Sequence, residues 1–204
     1  MVEERLKVLI AGDSFAAKWP GKYPGWAELL EEYFDVTNLA QAGVGEYKIL
    51  RQVHSVDVTW FDCVIVCHTS FSRIHTREHP VHKEGLHINC DLIYTDLEAH
   101  NDKNNPSLKA AKDFFQYHYD ESQSKGIYYL IRSEIARLMA FSSYIAIDNF
   151  KDAAIFSIEK NKVDLSDFWL ENKGEVNHYS EEGNKKLCQM IREQILQSVA
   201  SSSM

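Results

Sequence analysis

Positive charge, cysteine and long apolar runs are all in short supply here, and each shortage removes a class of protein. Twenty-two Lys and Arg face thirty Asp and Glu, a formal net charge of −8 with the histidines neutral. A surface of that sign repels phosphate backbones and anionic lipid, so neither nucleic acid nor a membrane is expected as a partner. The four cysteines, Cys63, Cys67, Cys90 and Cys188, follow no disulfide-framework spacing. Cys63 and Cys67 lie four apart in an apparent strand, on one face and about 13 Å apart, too far to bridge. Buried free thiols in a reducing cytoplasm are the expectation. No segment approaches the roughly 18 consecutive apolar residues of a bilayer span. Met1-Val2-Glu3-Glu4-Arg5 is acidic and leads straight into a strand, unlike a secretory signal. There is no internal repeat and no low-complexity stretch.

What remains is an ordinary globular composition, 45% hydrophobic and 25% charged over 204 residues, read as one domain spanning 1–204. Lys7-Val8-Leu9-Ile10-Ala11 is a near-continuous apolar stretch, the mark of a strand buried on both faces. It stops at Gly12-Asp13-Ser14, where glycine permits a sharp turn and Ser14 is either a helix cap or a nucleophile at a strand end. Helical spacing follows over 24–34 and 46–54, strand-like patterns over 34–39 and 61–67. Helices are expected over 107–119 and 121–141, the second burying Ile127, Leu130, Ile131, Ile135, Leu138 and Met139. Strands over 143–148 and 153–158 precede a closing helix over 181–199. The alternation predicts a three-layer α/β/α sandwich of flavodoxin-like type, its sheet mostly parallel with helices on both faces. Trp19, Trp26 and Trp60 are expected in the core or a pocket wall.

From about 70 to 106 no period is evident. His75, His79, His82, His87 and Cys90 fall within sixteen residues there, with His68 just before. Imidazole and thiolate clusters bind zinc and other transition metals. These spacings match no strong zinc motif, so no metal is assigned, and the segment is read as a lid over the strand ends. Arg73 and Arg77 within it suit an anionic substrate group, though an exposed arginine pair needs no ligand.

Three blocks sit at strand ends or in the loops after them: Gly12-Asp13-Ser14, then Asn38-Leu39-Ala40-Gln41-Ala42-Gly43-Val44-Gly45, then Gly174-Glu175-Val176-Asn177-His178-Tyr179-Ser180-Glu181-Glu182-Gly183. Together they resemble the SGNH hydrolase superfamily, the GDSL-type esterases and lipases. The resemblance implies a cofactor-free serine esterase acting on a small-molecule or carbohydrate ester. Ser14 would be the nucleophile, His178 the general base and acid, and Glu175 the residue orienting the imidazole. The amides of Ser14 and Gly43 would meet the oxyanion. In the family's third block, Gly-x-Asn-Asp, an asparagine donates to the same oxyanion. Here the stretch reads His68-Thr69-Ser70-Phe71-Ser72-Arg73, with Ser70 where the asparagine would fall. Asp13, Ser70, Arg73 and His68 complete the expected oxyanion and substrate-binding set. Two other functions fit the residues less fully: a non-catalytic ligand-binding protein on the same fold, and a metal-dependent enzyme using the histidine-rich insertion.

Overall fold

The computed structural model describes residues 5–18, 20–140, 142–154, 159, 161–174 and 178–202. In chain order its main elements are β1 (Lys7–Gly12), α1 (Trp26–Leu29), β2 (Asp35–Asn38), α2 (Glu46–His54), β3 (Cys63–His68), α3 (Tyr94–Ala99), α4 (Pro106–Tyr117), α5 (Glu121–Leu138), β4 (Tyr144–Asp148), α6 (Lys151–Ala154), β5 (Lys162–Asp164), α7 (Phe168–Glu171) and α8 (Glu181–Ser202). The strands form one parallel sheet in the order β2-β1-β3-β4-β5. That is the flavodoxin-like order, with its switch point between β1 and β3.

Alternation along the central strands divides the core in two. Val8 and Ile10 of β1, with Cys63, Ile65 and Cys67 of β3, pack against Trp26 and Leu30 on one side and Leu187, Ile191 and Ile195 of α8 beyond them. Leu9, Ala11, Val64 and Val66 face Ile49 and Val53 of α2 and Ile135 of α5 on the other. Continuous apolar strands with a helical layer on each face are what a parallel sheet requires. All four cysteines are buried free thiols, and Cys63 and Cys67 share a face as their spacing predicts. Trp26 is core, whereas Trp60 is 73% exposed and belongs to neither core nor pocket. Trp19 lies outside the described residues.

Three expectations need correction. The helix read over 24–34 is one α turn, Trp26–Leu29, followed by a 3-10 turn over Leu30–Glu32. Of the strand read over 153–158, Ala153 and Ala154 close α6, and 155–158 lie outside the described residues; the edge strand is β5. In α5 the expected apolar face is buried only in part: Ile135 and Met139 are core, with Ile131 and Leu138 packed against it. Ser124, Tyr128, Arg132 and Ile135 are buried, while Ile127 and Leu130 are 51% and 67% exposed.

The reason is a buried ionic network at the carboxyl ends of β3 and β4. The Arg132 guanidinium, wholly buried, donates to Asp148 Oδ1 at 2.8 Å and to Glu159 at 2.9 and 3.1 Å. Lys162 pairs with the other Asp148 oxygen at 3.3 Å. Alongside, His68 meets Glu46 at 2.5 Å and the Tyr144 hydroxyl at 3.0 Å. Strands that end in His68 and Asp148 need cationic and polar neighbours, so α5 turns its arginine inward and its leucine out.

Arg132→Ala would remove the cation shared by the buried Asp148 and Glu159 carboxylates, leaving Lys162 on Asp148, and should lower the unfolding free energy in urea by about 3–5 kcal/mol. Leu130→Ala should change it by less than about 0.5 kcal/mol. Equal losses would return Leu130 to the core.

Candidate functional site

The Ser14 turn is held from several sides. Gln52 of α2 clamps the end of β1, accepting from the Gly12 amide at 2.7 Å and donating to the Gly12 carbonyl at 3.2 Å. A Cβ on Gly12 would come within 2.6 Å of Cys67 Cβ, so only glycine lets β1 and β3 meet this closely. Beyond it, the Asp13 side chain accepts from the Phe15 amide at 3.0 Å, and its carbonyl accepts from Ala16 and Ala17. Trp26 Nε1 donates to the Phe15 carbonyl at 2.7 Å. Ser14 is thus placed, half-buried, on a rigid turn outside the central strand.

The second block is fixed by the insertion. Gly43 has φ +74°, a left-handed conformation suited to glycine, and a Cβ there would meet Cys90 Cβ at 2.6 Å. Its carbonyl accepts from Arg73 Nη1 at 3.1 Å and from the Asp91 amide at 2.9 Å. The buried Asp91 carboxylate in turn accepts from the amides of Gly45 and Thr76, at 2.7 and 2.8 Å, and pairs with Lys48 at 2.8 Å. Ile74 and Leu92 form an antiparallel bridge beside it. The stretch without a period is therefore a fitted cap that contains a 3-10 turn over Gly85–His87 and α3.

The third block folds back on itself before α8. Lys173 bridges Tyr179, and the Gly174 amide donates to the His178 carbonyl at 2.6 Å. The backbones run so close that a Cβ on Gly174 would lie 2.3 Å from the Tyr179 carbonyl oxygen. The His178 ring stands 5.4 Å from that of Phe15, and Tyr179 donates to Asn149 Oδ1 at 2.7 Å. Burial, with a smaller contribution from His87, pushes the His178 imidazole down to about 4, so near neutral pH it is uncharged and able to accept a proton.

Ser14, Gly43, Arg73 and His178 all border one cavity of about 450 Å³ outside the carboxyl ends of the strands. Asn149 and Phe150 line it from the loop after β4, Trp169 from α7, and His82, His87, Cys90 and Asp96 from the insertion. Of the other expected residues, Asp13 is buried beneath the turn. His68 is enclosed by Glu46 and Tyr144 and does not line the cavity. Ser70 does not line it either: its hydroxyl donates to Asp152 at 2.5 Å and contacts Ser72 at 2.7 Å. Glu175 lies outside the described residues. Arg77 is exposed and away from the cavity.

Sequence reasoning missed Asn149, whose Nδ2 has no hydrogen-bond partner among the described residues. The available signal was its position, directly after a buried strand. It also missed Asp96 and His100, which with His82 form one of two described groups that could hold a metal ion, the other being His79, His82 and Cys90. No protein-family model matches the chain, and no curated protein does either.

Burial pushes the Asp13 carboxyl up to about 6, against the opposing pull of Arg73, the Phe15 amide and Thr69. Its ordinary value is 3.8, so between the two the folded state holds more protons, and stability falls as pH rises through that window. Asp13→Asn keeps the acceptor for Phe15 and removes this dependence. The variant should gain on wild type by up to about 3 kcal/mol between about pH 4 and pH 7 in urea unfolding. Parallel stability curves would contradict this.

Proposed function

We propose that the protein is a serine esterase of the SGNH type, cleaving an ester or O-acyl group, carbohydrate esters included. The observation carrying this reading is that Ser14, Gly43 and His178, drawn from opposite ends of the chain, border the same cavity at the strand ends. Ser14 Oγ attacks the ester carbonyl as His178 takes its proton. The oxyanion is met by the Ser14 and Gly43 amides. His178 then protonates the departing alcohol, and water, deprotonated by the same imidazole, releases the acid from the acyl-enzyme. These steps need no cofactor.

The side-chain oxyanion donor in this reading is Asn149. Ser70 has its hydroxyl engaged with Asp152, whereas Asn149 lines the cavity and its amide nitrogen has no hydrogen-bond partner among the described residues. Arg73, anchored on Gly43 and Thr69, gives the cavity a cation suited to an acidic group on the substrate. A binding-only protein is the second reading, favoured by that engaged Ser70.

A fluorophosphonate probe should label wild type at Ser14, and Ser14→Ala or His178→Ala should lower kcat on short acyl esters by at least about a thousandfold. Absence of labelling, with equal turnover by wild type and Ser14→Ala, rejects the esterase. Ligand binding that survives both substitutions in a protein without turnover establishes the second reading. Asn149→Asp keeps the acceptor for Tyr179 and should cost about 10²–10³ in kcat, the usual loss for one oxyanion donor. Ser70→Ala should cost little; the reverse ranking would return the donor role to Ser70.

A further inference from the structure

The insertion holds a second constellation that ester cleavage leaves unused. Asp96 and His100 stand four residues apart at the end of α3, with His100 as its C-cap, and so project from one side of the helix. His82, from the loop after Pro80, reaches the same carboxylate, its Nε2 lying 3.0 and 3.2 Å from the two Asp96 oxygens. His100 Nε2 lies 3.7 Å from Asp96 Oδ1, and His79 Nε2 lies 3.4 Å from Oδ2. The imidazole of His82 is 4.6 Å from that of His79 and 5.5 Å from that of His100, centroid to centroid.

Hydrogen bonding alone accounts poorly for this crowd. His82 bonds the carboxylate, but His100 is beyond hydrogen-bond distance. His79 is 1% exposed, and its Nε2 has no hydrogen-bond partner among the described residues. Metal bonds of about 2.0–2.1 Å in a tetrahedron separate neighbouring ligand atoms by about 3.3–3.4 Å. The measured contacts to Asp96, 3.0–3.7 Å, bracket that edge, and the ligand atoms of His82, Asp96 and His100 all lie within 4.8 Å of one another. Their side chains are 26%, 32% and 35% exposed, open enough for an ion to enter.

We propose that His82, Asp96 and His100 bind one divalent first-row transition-metal ion on the insertion's side of the cavity. Two imidazoles and a carboxylate form a donor set that leaves coordination positions for water or substrate. His79 is a positioning residue. Its Nδ1 accepts from the amides of Val81 and His82, both at 3.2 Å, which assigns its proton to Nε2, facing Asp96. With the ion bound, that Nε2–H, 3.4 Å from Asp96 Oδ2, would be the donor that orients the metal-binding carboxylate from behind. The ion would tie the His82 loop to α3 and place a Lewis acid beside the cavity. None of this depends on Ser14 being a nucleophile.

The test is calorimetric titration of the tag-free, chelator-stripped full chain with Zn²⁺, with Co²⁺ absorption reporting the ligand field. Wild type should bind one ion per chain. Asp96→Asn and His100→Ala should each weaken binding by more than the about 10–100-fold that loss of an outer-shell partner costs, and His79→Gln by about that amount. His54→Ala, on the exposed end of α2, should bind as wild type. Zn²⁺ should also raise the melting temperature of wild type but not that of His100→Ala, which keeps the test intact if Asp96→Asn folds poorly. Binding well below one ion per chain, or unchanged binding in His100→Ala, overturns the site.

Discussion

The Asp91 carboxylate is the joint on which the cavity depends. It is wholly buried, accepts from amides on the second glycine block and on the insertion, and carries Lys48 as its counter-ion. The parallel sheet supplies the floor bearing Ser14, and the insertion supplies His82, Cys90 and Asp96. The Asp91 neighbourhood, with the Arg73–Gly43 and Lys48–Asn89 hydrogen bonds and the close Gly43–Cys90 approach, joins the two. Donors left buried without an acceptor are costly, so the cap is bound by polar complementarity where an apolar interface would have allowed it to slide.

That construction explains what could and could not be read from residues alone. β1 and β3 were legible because a strand buried on both faces has to be apolar throughout. α2 was legible because its apolar face keeps helical spacing between Gly45 and Ser55. The insertion was illegible because its short elements owe their shape to distant partners, and no period survives in such a segment. α5 was legible in part: Ile135 and Met139 are buried as its period implies, but the burial of Arg132 in place of Leu130 answers to Asp148, a residue that the helix sequence does not reveal. The expected third block failed similarly. Position 70 follows β3 as the resemblance requires, yet its hydroxyl is drawn to Asp152. The histidine cluster was visible as a density of imidazoles, whereas the pair that matters, Asp96 and His100, emerges only once α3 is known to be a helix.

The two faces of the cavity differ in chemistry. The sheet side presents a serine turn and a neutral imidazole shielded by Phe15. The insertion side presents imidazoles gathered around a carboxylate. Arg73 stands between them, one end of its guanidinium on Gly43 and the other on Thr69.

The order in which the chain is made gives the paired ends of the site a further meaning. The Ser14 turn is held by β1, β3 and Gln52, all within the first third of the sequence. His178 comes with the hairpin before α8, near the other end. On a ribosome the serine turn can therefore be shaped long before its imidazole is synthesised. Synthesis of the segment just before α8 sets the earliest moment at which the two can meet. A chain stalled short of that segment would carry the Ser14 turn without the imidazole that shares its cavity.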